Sequence, residues 1–225
     1  MRLHLEPELG RYELRKLTAQ HVDAMLRRKE NAGLSSTSVA YIRTVLRAAL
    51  NVAVKKRILE RNVAVFSEAP RRTQRAYRVL TPEEGQHLLA TIEGRKGERL
   101  AALYRMALYL GMRQAELIGL RWQDVDLAGK TLRVEQSIQR VGKELHIQEP
   151  KTARSKRTLA LPDSLAAALK AHKDAQAFER ARAGDRWQES GLVFTSTTGT
   201  ALDGPNLSHR FKRHLEAAGL PAAEI

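Results

Sequence analysis

The spacing of apolar residues changes twice along the chain, and this change restricts the fold more than any other feature of the sequence. Up to about residue 122, apolar residues recur every three or four positions, as in helices that bury one face. Over residues 131–161 they alternate with polar residues in short runs, which is typical of half-buried strands, and helical spacing then returns. The pattern predicts a mainly α protein with a small antiparallel β-sheet, an α+β fold.

Two helices are expected before residue 67. Thr18 is placed to cap the first, which runs roughly to Asn31 and closes at Gly33. The second opens at Ser35 or Ser36 and extends to about residue 57. Its core-facing residues follow the three-and-four spacing of a buried stripe: Val39, Ile42, Val45, Leu46, Ala49, Leu50 and Ala53.

Another face of the second helix carries Arg43, Arg47, Asn51 and Lys55, one at every fourth position. A helix fits the major groove of DNA, where long cationic or amide side chains reach phosphates and base edges. Arg43, Arg47 and Lys55 are therefore candidate DNA-binding residues. The stripe is equally typical of the solvated side of an amphipathic helix, and the helix alone leaves both interpretations open.

The positive charge of the chain is large and unevenly distributed. The net charge is +14, and residues 1–78 hold 17 of the 39 Lys and Arg but 7 of the 25 Asp and Glu. This asymmetry favours a polyanion-binding element followed by a more ordinary globular part, with a solubilising surface as the alternative. Membrane-surface binding is a weaker alternative, because only 5% of the residues are aromatic.

The composition also excludes several classes of protein. The chain has no cysteine, which excludes a disulfide-stapled secreted scaffold, a thiolate zinc site and a cysteine nucleophile. No run approaches the length of an apolar membrane span, and the first residues lack an apolar signal core. We therefore expect a soluble, cytoplasmic protein with no membrane partner.

A break in the helical pattern suggests two domains joined by a basic linker, at residues 1–66, 67–78 and 79–225. The linker contains a proline and little periodicity, and its arginines Arg71, Arg72 and Arg75 are candidates for contact with DNA phosphates. A solvated linker without such contacts is equally compatible with the sequence. After the linker, we expect helices at 81–93, 98–110, 162–181 and 205–218, strands at 131–138, 144–148 and 156–161, and a short apolar strand or buried segment at 191–194.

A candidate catalytic segment of the second domain lies between the helix predicted at 98–110 and the first predicted strand. No glycine-rich phosphate loop, His-Glu-x-x-His motif or carboxylate cluster is present, so we expect neither a metal nor a cofactor. Arg113 follows Gly111 at the start of a short helix, and Glu116 at i+3 is placed to orient it. An outward guanidinium fork matches two phosphodiester oxygens. The alternative is an ion pair with Glu116 or an aspartate.

In this segment the chain resembles the tyrosine recombinase (phage integrase) family. The family motif Gly-x-Arg-x-x-Glu-Leu-x-x-Leu-x-Trp-x-Asp is matched at Gly111, Arg113, Glu116, Leu117, Leu120, Trp122 and Asp124. Further similarity covers the start of the catalytic domain at 80–84, the basic hairpin at 150–161 and the landmarks at 192–199. Residues 1–66 are similar to the helical core-binding domain that precedes it.

The resemblance implies site-specific cutting and rejoining of double-stranded DNA, with Arg113 and Lys151 as catalytic residues. A tyrosine attacks a phosphodiester to form a 3′-phosphotyrosyl link, Arg113 stabilises the transition state, and Lys151 protonates the leaving 5′-oxygen. Arg154 is a further DNA-binding candidate, and Glu116 and Asp124 are supporting residues. The family's proteins assemble as tetramers on paired sites, and the resemblance points to a bacterial or phage origin in a mobile element.

The family's second catalytic block, His-x-x-Arg, and its tyrosine nucleophile have no match here. The tyrosines of the chain lie in other contexts, and Gly219-Leu-Pro221 is followed by only four residues. We therefore expect an incomplete catalytic domain that forms no covalent adduct with a nicked suicide substrate by itself. The alternative function is a non-catalytic DNA-binding module, or a decayed integrase, that acts as a regulator or competitor at recombination sites. An RNA-binding adaptor is disfavoured, because no aromatic stacking platform is present.

Overall fold

The chain divides into two compact units, Met1–Ala76 and Tyr77–Ile225. The computed structural model describes residues 1–68, 78–142, 144–148 and 156–222. Within those residues, no helix combines the length and the apolar character that crossing a membrane requires.

The first unit is helical, with α1 at Glu6–Leu9, α2 at Ala19–Asn31 and α3 at Ser36–Lys55. The hydroxyl of Thr18 accepts the backbone N–H of His21 at 3.3 Å and so caps α2. The hydroxyl of Ser35 accepts the backbone N–H of Ser38 at 3.2 Å and caps α3. Both predicted helix starts are therefore confirmed.

The core of this unit forms where the apolar faces of α2 and α3 meet α1 and a 3₁₀ turn at Val63–Val65. The amide of Asn62 donates to the backbone oxygen of Arg47 at 2.9 Å and to the Asn51 side chain at 2.6 Å, which ties the turn to α3. The fully or nearly fully buried core residues are Leu5, Leu9, Leu17, Val22, Met25, Leu26, Val39, Ile42, Leu46, Leu50 and Ala64.

The second unit contains five helices in its described part: α4 at Pro82–Glu93, α5 at Ala101–Leu110, α6 at Gln114–Gly119, α7 at Asp163–Ala183 and α8 at Gly204–Ala217. The Thr81 hydroxyl and the Glu84 carboxylate form the predicted capping box of α4. Gly111 ends α5 in the left-handed conformation, with φ of 59°. A glycine is favoured there because a side chain would be strained.

The strands form two antiparallel sheets. Strands β1 (Val125–Asp126), β2 (Thr131–Val134) and β5 (Arg157–Ala160) form one sheet in the order β1-β2-β5. Strands β3 (Ser137–Val141) and β4 (Glu144–Gln148) pair as a separate hairpin. The prediction of one continuous strand over 131–138 was therefore wrong, because the chain leaves the first sheet after Val134.

The break in the predicted strand has a packing cause. The end of α6 lies against the start of β3, and a Cβ atom added to Gly119 would stand 3.0 Å from the Ser137 Cα and 3.1 Å from the Ile138 nitrogen. The Gln136 amide donates to the Gly119 backbone oxygen at 2.8 Å. The alternating pattern did not reveal this contact, since it depends on a glycine from a different element.

A methyl group at position 119 is expected to destabilise the second unit. Gly119→Ala forces the bend between β2 and β3 to move, and overpacking of this kind costs about 1–3 kcal/mol. Gly85→Ala in α4 is the matched control, because nothing lies within 4 Å of its added Cβ, and it should gain about 0.5–1 kcal/mol. Urea unfolding of both variants measures the difference, and equal stabilities would contradict the packing argument.

The segment predicted as a short apolar strand or a buried run is buried. Its backbone joins the α6–β1 connection through two hydrogen bonds, from Val193 to the Leu120 oxygen at 2.8 Å and from Trp122 to the Gly191 oxygen at 3.0 Å. Phe194 is fully buried. This segment belongs to one apolar core with α4, α5, α7 and the first sheet, whose buried side chains include Leu88, Ile92, Leu103, Tyr104, Met106, Leu132, Leu165 and Leu169.

Candidate functional site

The short connection between α5 and α6 presents Arg113 to solvent. The two residues after Gly111 differ in environment, because Met112 is buried whereas the side chain of Arg113 is 77% exposed. Glu116, one turn into α6, is 8% exposed at its side chain. The arrangement therefore places a buried carboxylate beneath an exposed guanidinium.

Glu116 accepts four hydrogen bonds. Two come from Arg113, from its backbone N–H at 3.0 Å and from Nη1 at 3.0 Å. The other two come from Arg157 on β5, whose Nη1 and Nη2 lie 3.1 Å and 2.8 Å from the two carboxylate oxygens. We call Arg113, Glu116 and Arg157 the arginine–carboxylate triad.

The triad holds Glu116 as a carboxylate. Burial acts to raise its pKa, but the hydrogen bonds from Arg157 and from the backbone and side chain of Arg113 outweigh burial and lower the pKa to about 2. The negatively charged Glu116 in turn raises the pKa of Arg157, chiefly through the hydrogen bonds between the two side chains. At neutral pH the triad therefore carries one negative and two positive charges, and its net charge of +1 attracts an anion.

Arg157 is the residue that the sequence did not single out as a partner of Glu116. It lies 41 positions away, and only the antiparallel pairing of β5 with β2 brings it to α6. Its neighbour Lys156 has a different acidic partner, since the ammonium of Lys156 lies 3.4 Å from Glu135.

Asp124 supports the same region from the 3₁₀ turn that follows α6. Its buried carboxylate accepts two hydrogen bonds from Arg121, at 2.6 Å and 3.1 Å. The neighbouring indole of Trp122 donates to the side-chain oxygen of Gln176 on α7 at 2.7 Å. In this structure Asp124 thus orders the chain after α6 and has Arg121 as its partner.

The predicted stripe of the first unit is divided between two environments. Arg43 is half-buried, and its guanidinium donates to the Ser67 hydroxyl at 2.8 Å and the Ser67 backbone oxygen at 2.7 Å. Arg47 and Lys55 are exposed on α3. The structure therefore gives Arg43 an internal role in holding the chain after the 3₁₀ turn, and leaves two cations of the stripe on the surface.

The other predicted site residues lie outside the described residues. They are Arg71, Arg72, Arg75, Lys151 and Arg154.

The described residues contain no group of three or more His, Asp or Glu side chains that could hold a metal ion. Tyr104 is buried, and burial followed by the negative charge of Glu98 raises its pKa to about 12, which disfavours the phenolate. His214 is also buried, and its Nε2 lies 3.1 Å from the Oε2 of Glu98.

Comparison with known protein sequences gives a family match and several relatives. Residues 78–224 match the model of the phage integrase family. An integrase of Streptomyces ambofaciens is 34% identical over 232 residues, which cover 98% of this chain and 57% of that protein. A XerC-like tyrosine recombinase of Caldanaerobacter subterraneus is 32% identical over 207 residues, covering 84% and 52%. The chain thus spans little more than half the length of these relatives.

Solved structures show the same fold. The Tn1549 transposon integrase in complex with a circular intermediate DNA has a TM-score of 0.81 at 19% identity, covering 97% of this chain and 70% of that one. A lambda integrase from a tetramer bound to a Holliday junction has a TM-score of 0.66 at 21% identity, covering 97% and 58%. Motif, sequence and fold therefore agree, and the chain belongs to the phage integrase family, the tyrosine recombinases.

Proposed function

We propose that this chain binds duplex DNA as part of a site-specific recombinase and presents Arg113 to the phosphodiester that is cut. The observation that carries the proposal is the exposure of Arg113 above a buried, ionised Glu116. A structural arginine would be expected to lose its exposure to its partner, whereas this side chain keeps most of its surface in solvent. Its partner fixes only one edge of the guanidinium, through Nη1.

The chemistry of phosphoryl transfer explains why such an arginine is useful. The pentacoordinate phosphorus carries more negative charge on its oxygens than the ground state does, so a fixed cation stabilises the transition state preferentially. A planar guanidinium also matches two phosphate oxygens. Glu116 orients Arg113 and Asp124 orders the following turn, so both act on the position of the site and not on the reacting atoms.

The remaining catalytic assignments rest on the family resemblance. Lys151 is proposed to protonate the leaving 5′-oxygen, and Arg154 is proposed to contact a nearby phosphate. The attack by a tyrosine forms the 3′-phosphotyrosyl link, and the 5′-hydroxyl of a partner strand reverses it. Because the bond energy stays in that link, the cycle consumes no nucleotide.

The binding surface is proposed to include the first unit. Arg47 and Lys55 are exposed on one face of α3, which suits entry into the major groove, and the linker arginines Arg71, Arg72 and Arg75 are proposed to follow the phosphates. The solved relative bound as a tetramer to a Holliday junction supports assembly of tetramers on paired sites. The bacterial relatives support action in a bacterial cytoplasm.

The proposal predicts that the affinity for duplex DNA falls as the salt concentration rises, and that Arg113 contributes to this dependence. Each phosphate contact contributes roughly 0.9 to the slope of log affinity against log salt concentration. Arg113→Met is expected to lower that slope by about 0.9, measured by fluorescence anisotropy with a short duplex of mixed sequence. The same measurement on Arg47→Met and Lys55→Met tests the first unit.

Arg180→Met is the matched control, because it removes the same charge from Arg180 on α7, whose pair with Glu189 is exposed. It should leave the slope unchanged. A wild-type affinity that does not respond to salt, or an equal loss in the Arg180 and Arg113 variants, would refute the proposed contact at Arg113.

A further inference from the structure

The two arginines of the triad share one carboxylate unequally. Arg157 reaches both oxygens of Glu116 through two guanidinium nitrogens, at 3.1 Å and 2.8 Å. Arg113 reaches one oxygen through a single guanidinium nitrogen at 3.0 Å. The exposures follow the same order, with Arg157 29% exposed and Arg113 77% exposed at the side chain. Arg157 is therefore the principal partner of the carboxylate.

We propose that Arg157 is a positioning residue that keeps Arg113 available to a DNA phosphate by occupying both oxygens of Glu116. The inference rests on the proposed function and extends it to a residue outside the family motif at 111–124. A two-point arginine–carboxylate pair is stronger and more directional than a one-point contact. The carboxylate is thus directed toward Arg157, and it orients Arg113 without enclosing it.

Charge gives the second part of the argument. With both arginines present, the triad has a net charge of +1, so an anion is attracted to Arg113. Without Arg157, Glu116 and Arg113 form a neutral pair, and the carboxylate competes with a phosphate for the same guanidinium. The backbone N–H of Arg113 already holds the carboxylate next to this side chain, at 3.0 Å, so the competitor cannot leave.

The position of Arg157 in the fold makes it suitable for this role. Arg157 begins β5 and is opposite Val134 in the antiparallel pairing with β2. A strand fixes its side chain more rigidly than a loop does. Arg157 also follows Lys151 by six residues in the sequence, so its bond to Glu116 ties the strand that follows the proposed general acid to the segment that carries Arg113.

The first test measures the availability of Arg113 without DNA. Arg157→Met is treated with phenylglyoxal, an arginine reagent, and the modification of Arg113 is followed by mass spectrometry of the digested protein. We expect modification of Arg113 to slow roughly two- to fivefold, the factor that a partly exposed ion pair provides. The double variant Glu116→Gln/Arg157→Met has the same net charge as wild type and no competing carboxylate, so the rate should return to the wild-type value.

The second test measures DNA binding by the same proteins. The slope of log affinity against log salt concentration for a short mixed-sequence duplex should fall by about 0.9 in Arg157→Met, as in Arg113→Met. It should recover only in part in the double variant, which lacks the competing carboxylate but also the group that orients Arg113. Arg157→Lys, which keeps the charge but not the two-point geometry, should give an intermediate loss and replaces Arg157→Met if that protein fails to fold by circular dichroism.

The two tests separate the inference from the proposed function. A wild-type rate of Arg113 modification in the folded Arg157 variants, or no recovery in the double variant, overturns the positioning role. If the modification rates change as expected while Arg113→Met binds duplex DNA as wild type does, the positioning role stands and the proposed phosphate contact fails.

Discussion

Removal of the carboxylate of the triad, by Glu116→Ala, is expected to destabilise the second unit by about 3 kcal/mol at neutral pH. The substitution leaves two guanidinium groups side by side without their shared partner, and one of them, Arg157, is mostly buried. Breaking a buried pair from one side typically costs about 3–5 kcal/mol, and the lower figure is appropriate because Arg113 is exposed. Thermal and urea unfolding measure the loss.

The ion pairs of Glu116 also make the effect of Glu116→Ala on stability depend on pH. The pKa of Glu116 is about 2 in the folded protein, well below the ordinary 4.5 of the unfolded chain. A lowered pKa means that the stabilisation is fully present above about pH 4.5 and is lost as the pH falls toward 2. The difference in the free energy of unfolding between wild type and Glu116→Ala should therefore shrink across this interval.

Glu189→Ala is the control for the loss of a carboxylate. Glu189 also pairs with an arginine, at 2.8 Å from Arg180, but both side chains are more than half exposed. Such a pair contributes within about 1 kcal/mol, because solvent screens it. Equal destabilisation by Glu116→Ala and Glu189→Ala would show that the triad does not hold the fold together.

The second large effect is expected at Gln176 on α7. Its side chain accepts the Trp122 indole N–H at 2.7 Å and donates to the Val193 oxygen at 3.0 Å and the Thr195 hydroxyl at 3.1 Å. Gln176→Leu keeps the approximate size and removes this partner from the half-buried Trp122 indole and the buried Thr195 hydroxyl, whereas His172 Nε2 still lies 2.8 Å from the Val193 oxygen. Each unsatisfied group costs about 1–3 kcal/mol, so we expect a total loss of about 2–4 kcal/mol.

Gln123→Leu provides the comparison for this prediction, since Gln123 is an exposed glutamine just before Asp124. A surface substitution of this kind changes stability by within about 0.5 kcal/mol. A loss in Gln176→Leu no larger than in Gln123→Leu would mean that water or movement of α7 satisfies the buried groups. Near-ultraviolet circular dichroism of Trp122 reports such movement.

Local signals predicted most of the helices. Thr18, Ser35 and Thr81 cap their helices as their positions indicated, and Gly111 ends α5 in the left-handed conformation. These features depend on residues within one turn of each other, so the sequence contains the information that decides them. For Arg113 the sequence left two possibilities open, an outward guanidinium and an ion pair with Glu116. The structure shows both features, since the exposed side chain also contacts Glu116 through Nη1.

Contacts between distant segments were not predictable in the same way. The strand break after Val134 results from the approach of Gly119, and the partner of Glu116 on β5 results from strand register. Arg43 shows the same limit on the first unit, since its predicted role on a polar stripe did not account for Ser67, 24 residues away. A periodic pattern identifies the exposed side of a helix, but not which of its side chains another segment captures.

The pairing of β5 with β2 also limits how related genes can vary in length. Successive residues of a strand face opposite sides, so a single-residue deletion or insertion within β5 would turn Arg157 away from Glu116. Deletions and insertions between β4 and β5 would leave the alternation within β5 intact. Among natural variants of this chain, length differences should therefore accumulate between residues 148 and 157 and stop at the strand.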